Sequence, residues 1–163
     1  MTPLACAISL VYLDVARVLL DYGADIETRN DNDMTPLHSA ALMRDLSAVR
    51  MLLERGADVE SKDDMGRTPL HTTISNINLV LSLLANGADI HARDNLGQTP
   101  LHSAAMYGHK SAVEALVNRG ADLTSMDING DTPWAAAIAH GRHPAIIRLL
   151  GHRARRNARV RVY

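Results

Sequence analysis

Five copies of one short phrase constrain this chain more than any other feature. They read TPLACAI at 2–8, TPLHSAA at 35–41, TPLHTTI at 68–74, TPLHSAA at 99–105 and TPWAAAI at 132–138. Their threonines, Thr2, Thr35, Thr68, Thr99 and Thr132, lie 33, 33, 31 and 33 residues apart. A second phrase, GAD, keeps the same phase at 23–25, 56–58, 87–89 and 120–122. A fixed period of this length marks stacked repeats that share a continuous core, because one such repeat cannot bury its apolar face alone.

Each repeat reads as two helices and a turn. In the fourth, DNLGQTPLHSAAMYGHKSAVEALVNRGADL (94–123), Gly97 supplies the positive φ of a tight turn. Thr99 is placed as a helix N-cap with Pro100 at the first helical position. Leu101, Ala104 and Ala105 form an apolar stripe, and the small alanines admit a close neighbour. Tyr107, Gly108 and His109 break the helix. Val113, Leu116 and Val117 form the stripe of a second helix, and Gly120 follows its end as a C-cap glycine.

This repeat resembles the ankyrin repeat, and the resemblance covers essentially the whole chain. It implies an all-α repeat solenoid of five stacked helix–turn–helix units with β-hairpin fingers. The units run over about 2–29, 30–62, 63–93, 94–126 and 127–152, with a basic tail at 153–163. It also implies that His38, His71 and His102 tie their repeats to adjacent backbone. The end repeats carry Ala5 and Ala135 at that position.

Apolar residues make up 47% of the 163 and aromatic residues 3%, with no Phe, so the core is expected to be Leu, Val, Ile and Ala. The lone Cys6 reads as a small buried hydrophobe and excludes an internal disulfide framework, which fits an intracellular, reducing compartment. No apolar run reaches the ~18 residues of a membrane span.

Charge is uneven. Residues 1–131 carry 10 basic and 18 acidic side chains, whereas residues 132–163 carry seven arginines and no acid. The tail RARRNARVRVY reads as a solvated terminus or a decayed finger sequence. The many finger acids, such as Asp25, Asp58, Asp94 and Asp127, are turn formers in part and a solvated face in part.

The third repeat is two residues short: Thr68 to Gly87 spans 19 residues where the equivalents span 21. The loss falls in SNINL (75–79), so a cramped interhelical turn is expected there. The first repeat offers Ile8, Leu10, Val11, Tyr12 and Leu13 at its outer face. That points to a fragment of a longer array or to ends covered by a partner.

No phosphate loop, nucleophile elbow or zinc spacing occurs. His140 and His143 have no acid or Cys beside them, so neither a metal nor a cofactor is expected, nor enzymatic activity. The resemblance instead implies a scaffold that binds a protein partner on the concave face. Its variable positions fall here on Met34, Met65, Arg67, Leu96, Gln98, Ile128 and Asp131 at finger tips, and on Leu42, Met43, Met106, Tyr107 and His140 at first helices. Two other readings remain: an activity lying in a missing domain, or contact of residues 142–161 with nucleic acid or another acidic surface. Nucleic acid is not the expected partner, because aromatic residues do not interleave the arginines.

Overall fold

The computed structural model describes residues 2–141 and 144–160, with side chains through His152. Among the described residues there are helices and turns but no strand. The helices are α1 (Pro3–Ser9), α2 (Leu13–Asp21), α3 (Pro36–Leu42), α4 (Leu46–Glu54), α5 (Pro69–Thr72), α6 (Ile77–Ala85), α7 (Pro100–Tyr107), α8 (Lys110–Asn118), α9 (Pro133–Ala139) and α10 (Pro144–Val160). Consecutive helices pack as pairs, α1 on α2, α3 on α4, and so on to α9 on α10. The chain divides into two compact bodies, Met1–Asp89 and Ile90–Tyr163.

The recurring phrase sets each first helix. A threonine in extended conformation precedes a proline at the first turn of α1, α3, α5, α7 and α9. Proline suits that position because its missing N–H would have no helical partner there. Where the phrase contains His, the imidazole completes a capping box. Nδ1 of His38, His71 and His102 accepts the N–H of Thr35, Thr68 and Thr99 at 3.3, 3.2 and 3.1 Å.

The GAD phrase closes α2, α4, α6 and α8. Gly23, Gly56, Gly87 and Gly120 have φ between 83° and 91°, a region that costs glycine little. The next alanine turns its N–H back onto the helix: Ala24 to the Leu19 carbonyl at 2.9 Å, and Ala57, Ala88 and Ala121 to Leu52, Leu83 and Leu116, each at 3.0 Å. This is the Schellman closure.

The apolar stripes make the core. Leu4, Ile8, Leu37, Met51, Leu52, Leu70, Leu79 and Leu83 are fully buried in the first body, and Leu101, Leu116, Ile146 and Leu150 in the second. Ile8, expected at the outer face, therefore belongs to the core: it faces inward from α1. Cys6 is half-buried rather than fully enclosed.

The two-residue deficit of the third repeat does not tighten its turn. It shortens the first helix. α5 has four residues where α1, α3 and α9 have seven. The other interhelical turns each hold a residue of positive φ, namely Val11, Arg44, Gly108 and Gly141. Between α5 and α6 no such residue exists, so the deletion removed the left-handed step and the chain turns through Thr73–Asn76 instead.

The fingers are turns without strand ladders. Two backbone bonds close each: the N–H of Asn30 donates to the Met34 carbonyl at 3.1 Å and those of Asp63, Asp94 and Asp127 to Arg67, Gln98 and Asp131 at 3.0 Å, while the N–H groups of Asp33, Gly66, Gly97 and Gly130 return to the carbonyls of Asn30, Asp63, Asp94 and Asp127 at 2.9–3.0 Å. The backbone of α10 stays helical through Val160, with no finger-like turn.

Candidate functional site

The predicted site residues divide between the two bodies. In the first, Leu42, Met43 and Met65 are exposed, while Met34 and Arg67 are half-buried. In the second, Leu96, Tyr107, Ile128, Asp131 and His140 are exposed, while Gln98 and Met106 are half-buried.

Several of these side chains are used by the fold itself. Arg67 bonds Asp63 Oδ2 through Nε at 2.9 Å and through a terminal nitrogen at 2.8 Å. Its carbonyl meets His38 Nε2 at 2.9 Å. The Gln98 amide reaches Asp127 Oδ2 at 3.3 Å, and the Asp131 carbonyl meets His102 Nε2 at 3.0 Å. His140 lies with Nδ1 3.0 Å from the Ala136 carbonyl of its own helix.

The acids of the fingers are loop builders. Oδ1 of Asp63 accepts the N–H groups of Met65 and Arg67, that of Asp94 those of Leu96 and Gln98, and that of Asp127 those of Asn129 and Asp131, all at 2.8–3.0 Å. Asn30 does the same for Asn32 and Met34 at 3.0 Å. Burial works against the Asp127 carboxylate, but the donated N–H groups of Asp131 and Asn129 and the Gln98 amide outweigh it and hold its pKa below the usual value.

Successive fingers are bonded to one another within each body. The N–H of Asp64 donates to Asn32 at 3.1 Å, and that of Ile128 to Leu96 at 3.0 Å. Arg29 reaches the carbonyls of Lys62 and Asp33 at 2.7 and 3.0 Å, and Arg93 those of Met126 and Gly97 at 2.7 Å each. Leu96 and Ile128 thus sit on backbones fixed to each other while staying 45% and 66% exposed. A Cβ on Gly97 would come within 3.5 Å of the Ile128 side chain, which shows how closely the two tips approach.

Two exposed apolar groups of α9 were not marked by the repeat pattern. Trp134 stands where the other repeats bury leucine, yet it is 39% exposed. A Cβ on Gly151 would lie 3.0 Å from its indole nitrogen, so the glycine gives the ring room against α10. Ile138, one helical turn on, is also exposed. The signal was present in the sequence as TPW in place of TPL.

An open groove of about 800 Å³ lies between α4 and α6, lined by Arg50, Glu54, Asn78 and Ser82 with Leu46, Leu81, Ala85 and Asn86. None of the predicted residues lines it. Among the described residues, no three His, Cys, Asp or Glu side chains converge as a metal site would require, and no helix is long and apolar enough to cross a membrane. His143 lies outside the described residues.

No curated protein matches the sequence significantly. The family model for ankyrin repeats (3 copies) matches it at residues 1–63, 28–94 and 70–160. With the capped helix pairs and the glycine closures in the same phase as those matches, the chain belongs to the ankyrin-repeat family.

Proposed function

We propose that this chain is a five-unit ankyrin module that binds a protein partner through its finger tips and the ends of its first helices, the surface ankyrin arrays use as their concave face. Ankyrin repeats are generally protein–protein interaction modules and typically not enzymes. The observation that carries the reading is the Leu96–Ile128 pair. Two apolar side chains are held on mutually bonded backbones and left about half exposed or more. Rigid, exposed apolar groups rimmed by charge suit an interface core.

Tyr107, 59% exposed at the end of α7, is the anchor on the same body, since Tyr contributes large contact area at low entropic cost. Leu42, Met43 and Met65 form the corresponding set on the first body. Arg67, Gln98 and Asp131 act by holding finger shape.

The test is affinity capture with the full-length chain, followed by Kd measurement for the captured protein. Tyr107→Ala and Ile128→Asp should each weaken binding by about 2 kcal/mol, with unchanged circular dichroism. Arg119→Ala is the control. Loss of binding on neutralising the arginines of 153–161, with Tyr107→Ala silent, would move the site to the basic segment.

A further inference from the structure

We propose that the groove between α4 and α6 is a docking site for an extended segment of a protein partner, bearing an arginine and, two residues away, an acid. The guest arginine takes the place that Arg55 fills in the helix pair before it. Asp21 is the last residue of α2, and Arg55 follows the end of α4. The two form an ion pair at 2.8 Å, and the same guanidinium reaches the Arg17 carbonyl at 3.3 Å. One arginine thus straps α2 to α4. The next pair of helices has the acid but not the strap. Glu54 is the last residue of α4, and the residue that follows α6 is Asn86. Its Nδ2 turns back to the Ser82 carbonyl of its own helix at 2.8 Å. Among the described residues Glu54 has no ion-pair partner, and the space beside it is the groove of about 800 Å³.

The other groups of the groove fit the rest of such a guest. Arg50, one turn before Glu54 on the same wall, is exposed and also lacks an ion pair. A cation four residues ahead of an acid is the weaker order of helical ion pair, so both charges stay open to a ligand. They stand about 6 Å apart along the helix axis. In an extended peptide, residues i and i+2 point the same way and lie about 6.7 Å apart. An arginine and an acid so spaced meet Glu54 and Arg50 together. The facing wall, α6, carries no charge. It offers the Asn78 carboxamide and the Ser82 hydroxyl, groups that hydrogen-bond peptide backbone. Leu46, Leu81 and Ala85 line the apolar part, where the arginine stem can lie. A volume of this size suits a short peptide rather than one side chain. The groove lies within the first body, between two internal helices. It uses none of the finger tips and does not depend on whether they bind a partner.

The experiment titrates the isotope-labelled full-length chain with two blocked peptides, Leu-Arg-Ala-Glu-Leu and Leu-Glu-Ala-Arg-Leu, up to about 10 mM, and follows amide shifts. One of them should bind with Kd below about 1 mM, with the shifts concentrated in α4 and α6. Raising NaCl from about 50 to about 500 mM should weaken binding at least about threefold. Asn86→Arg supplies the missing strap to Glu54 and should weaken binding about tenfold, as should Glu54→Gln. Replacing the arginine of the peptide with norleucine should do the same. Each variant is checked for folding by circular dichroism, and Arg119→Ala is the control that should change nothing. No binding of either peptide, or shifts that avoid α4 and α6, would overturn the proposal. So would binding unchanged by both Asn86→Arg and Glu54→Gln. Equal affinity for the norleucine peptide would remove arginine as the guest and leave an apolar one.

Discussion

His38 places Nε2 2.9 Å from the carbonyl oxygen of Arg67, twenty-nine residues further along the chain. Its other nitrogen accepts the N–H of Thr35, so the ring proton belongs on Nε2 and the imidazole works as a neutral bridge. His102 repeats the arrangement between Thr99 and Asp131. One side chain thereby caps a helix and fastens the next finger to it.

That role makes stability pH-dependent. Burial pushes both pKa values below the ordinary 6.5, with Arg29 and Arg67 adding to the effect at His38 and Arg93 at His102. The carbonyl bonds and the charges of Asp63, Asp127 and Asp94 oppose it without reversing it. The unfolded chain then binds more protons than the folded one in the window below 6.5. Stability is full above that value and is lost as pH falls through the folded pKa. Melting temperature should drop from about pH 7.5 to about pH 5, and His102→Gln should flatten the slope while costing about 1–3 kcal/mol at the upper end. A profile unchanged by the substitution would contradict this.

Asp127 should show its own step at lower pH. Its folded pKa lies below the ordinary 3.8, so its contribution persists above that value and disappears in stronger acid. Asp127→Ala should destabilise by about 1–3 kcal/mol, because two N–H groups lose their acceptor. Asp25→Ala, which removes one exposed acceptor from Glu27, should stay within about 0.5 kcal/mol in the same thermal melts.

The interhelical turns allow a pair of opposite substitutions. Arg44 has φ 58° and Gly108 φ 80° at the same register. A side chain in this region costs about 1–2 kcal/mol. Arg44→Gly should therefore stabilise by about 1 kcal/mol and Gly108→Ala destabilise by a similar amount, read as shifts in denaturation midpoint.

The shortened α5 should be the least protected helix of the first body. Four residues leave little room for the i to i−4 ladder; its end rests on the Thr73 N–H to Pro69 bond at 3.1 Å. Amide exchange at residues 70–73 should be at least about tenfold faster than at residues 37–42 of α3. Equal protection would show that packing alone sustains the short helix.

Most of this architecture was legible because the phrases carry complete local instructions. Thr-Pro states where a helix begins, and Gly-Ala states how one ends. Both act through backbone bonds that need no distant partner. The two missing residues of the third repeat were visible too, but not where their loss would be absorbed. The chain gave up the left-handed residue and about the last turn of α5. Ile8 was misplaced for a related reason: the face of a short helix depends on rotation that seven residues barely define. The site was less legible. Arg67 and Gln98 read as surface side chains, because pairing with Asp63 and Asp127 arises only once a finger has closed. Trp134 was hidden by a motif that elsewhere means burial.

Finger closure has a consequence for how such a surface can change. The first residue of each tip, Asn30, Asp63, Asp94 or Asp127, holds the loop through its own oxygen. The position two residues on contributes only its N–H to that closure, and it holds Asn32, Met65, Leu96 and Asn129 in turn. Four fingers of one chain already display amide, thioether and aliphatic groups on the same scaffold. Shape is inherited from one residue and chemistry from its neighbour, so the side chains displayed at the tips are free to change at almost no cost in folding.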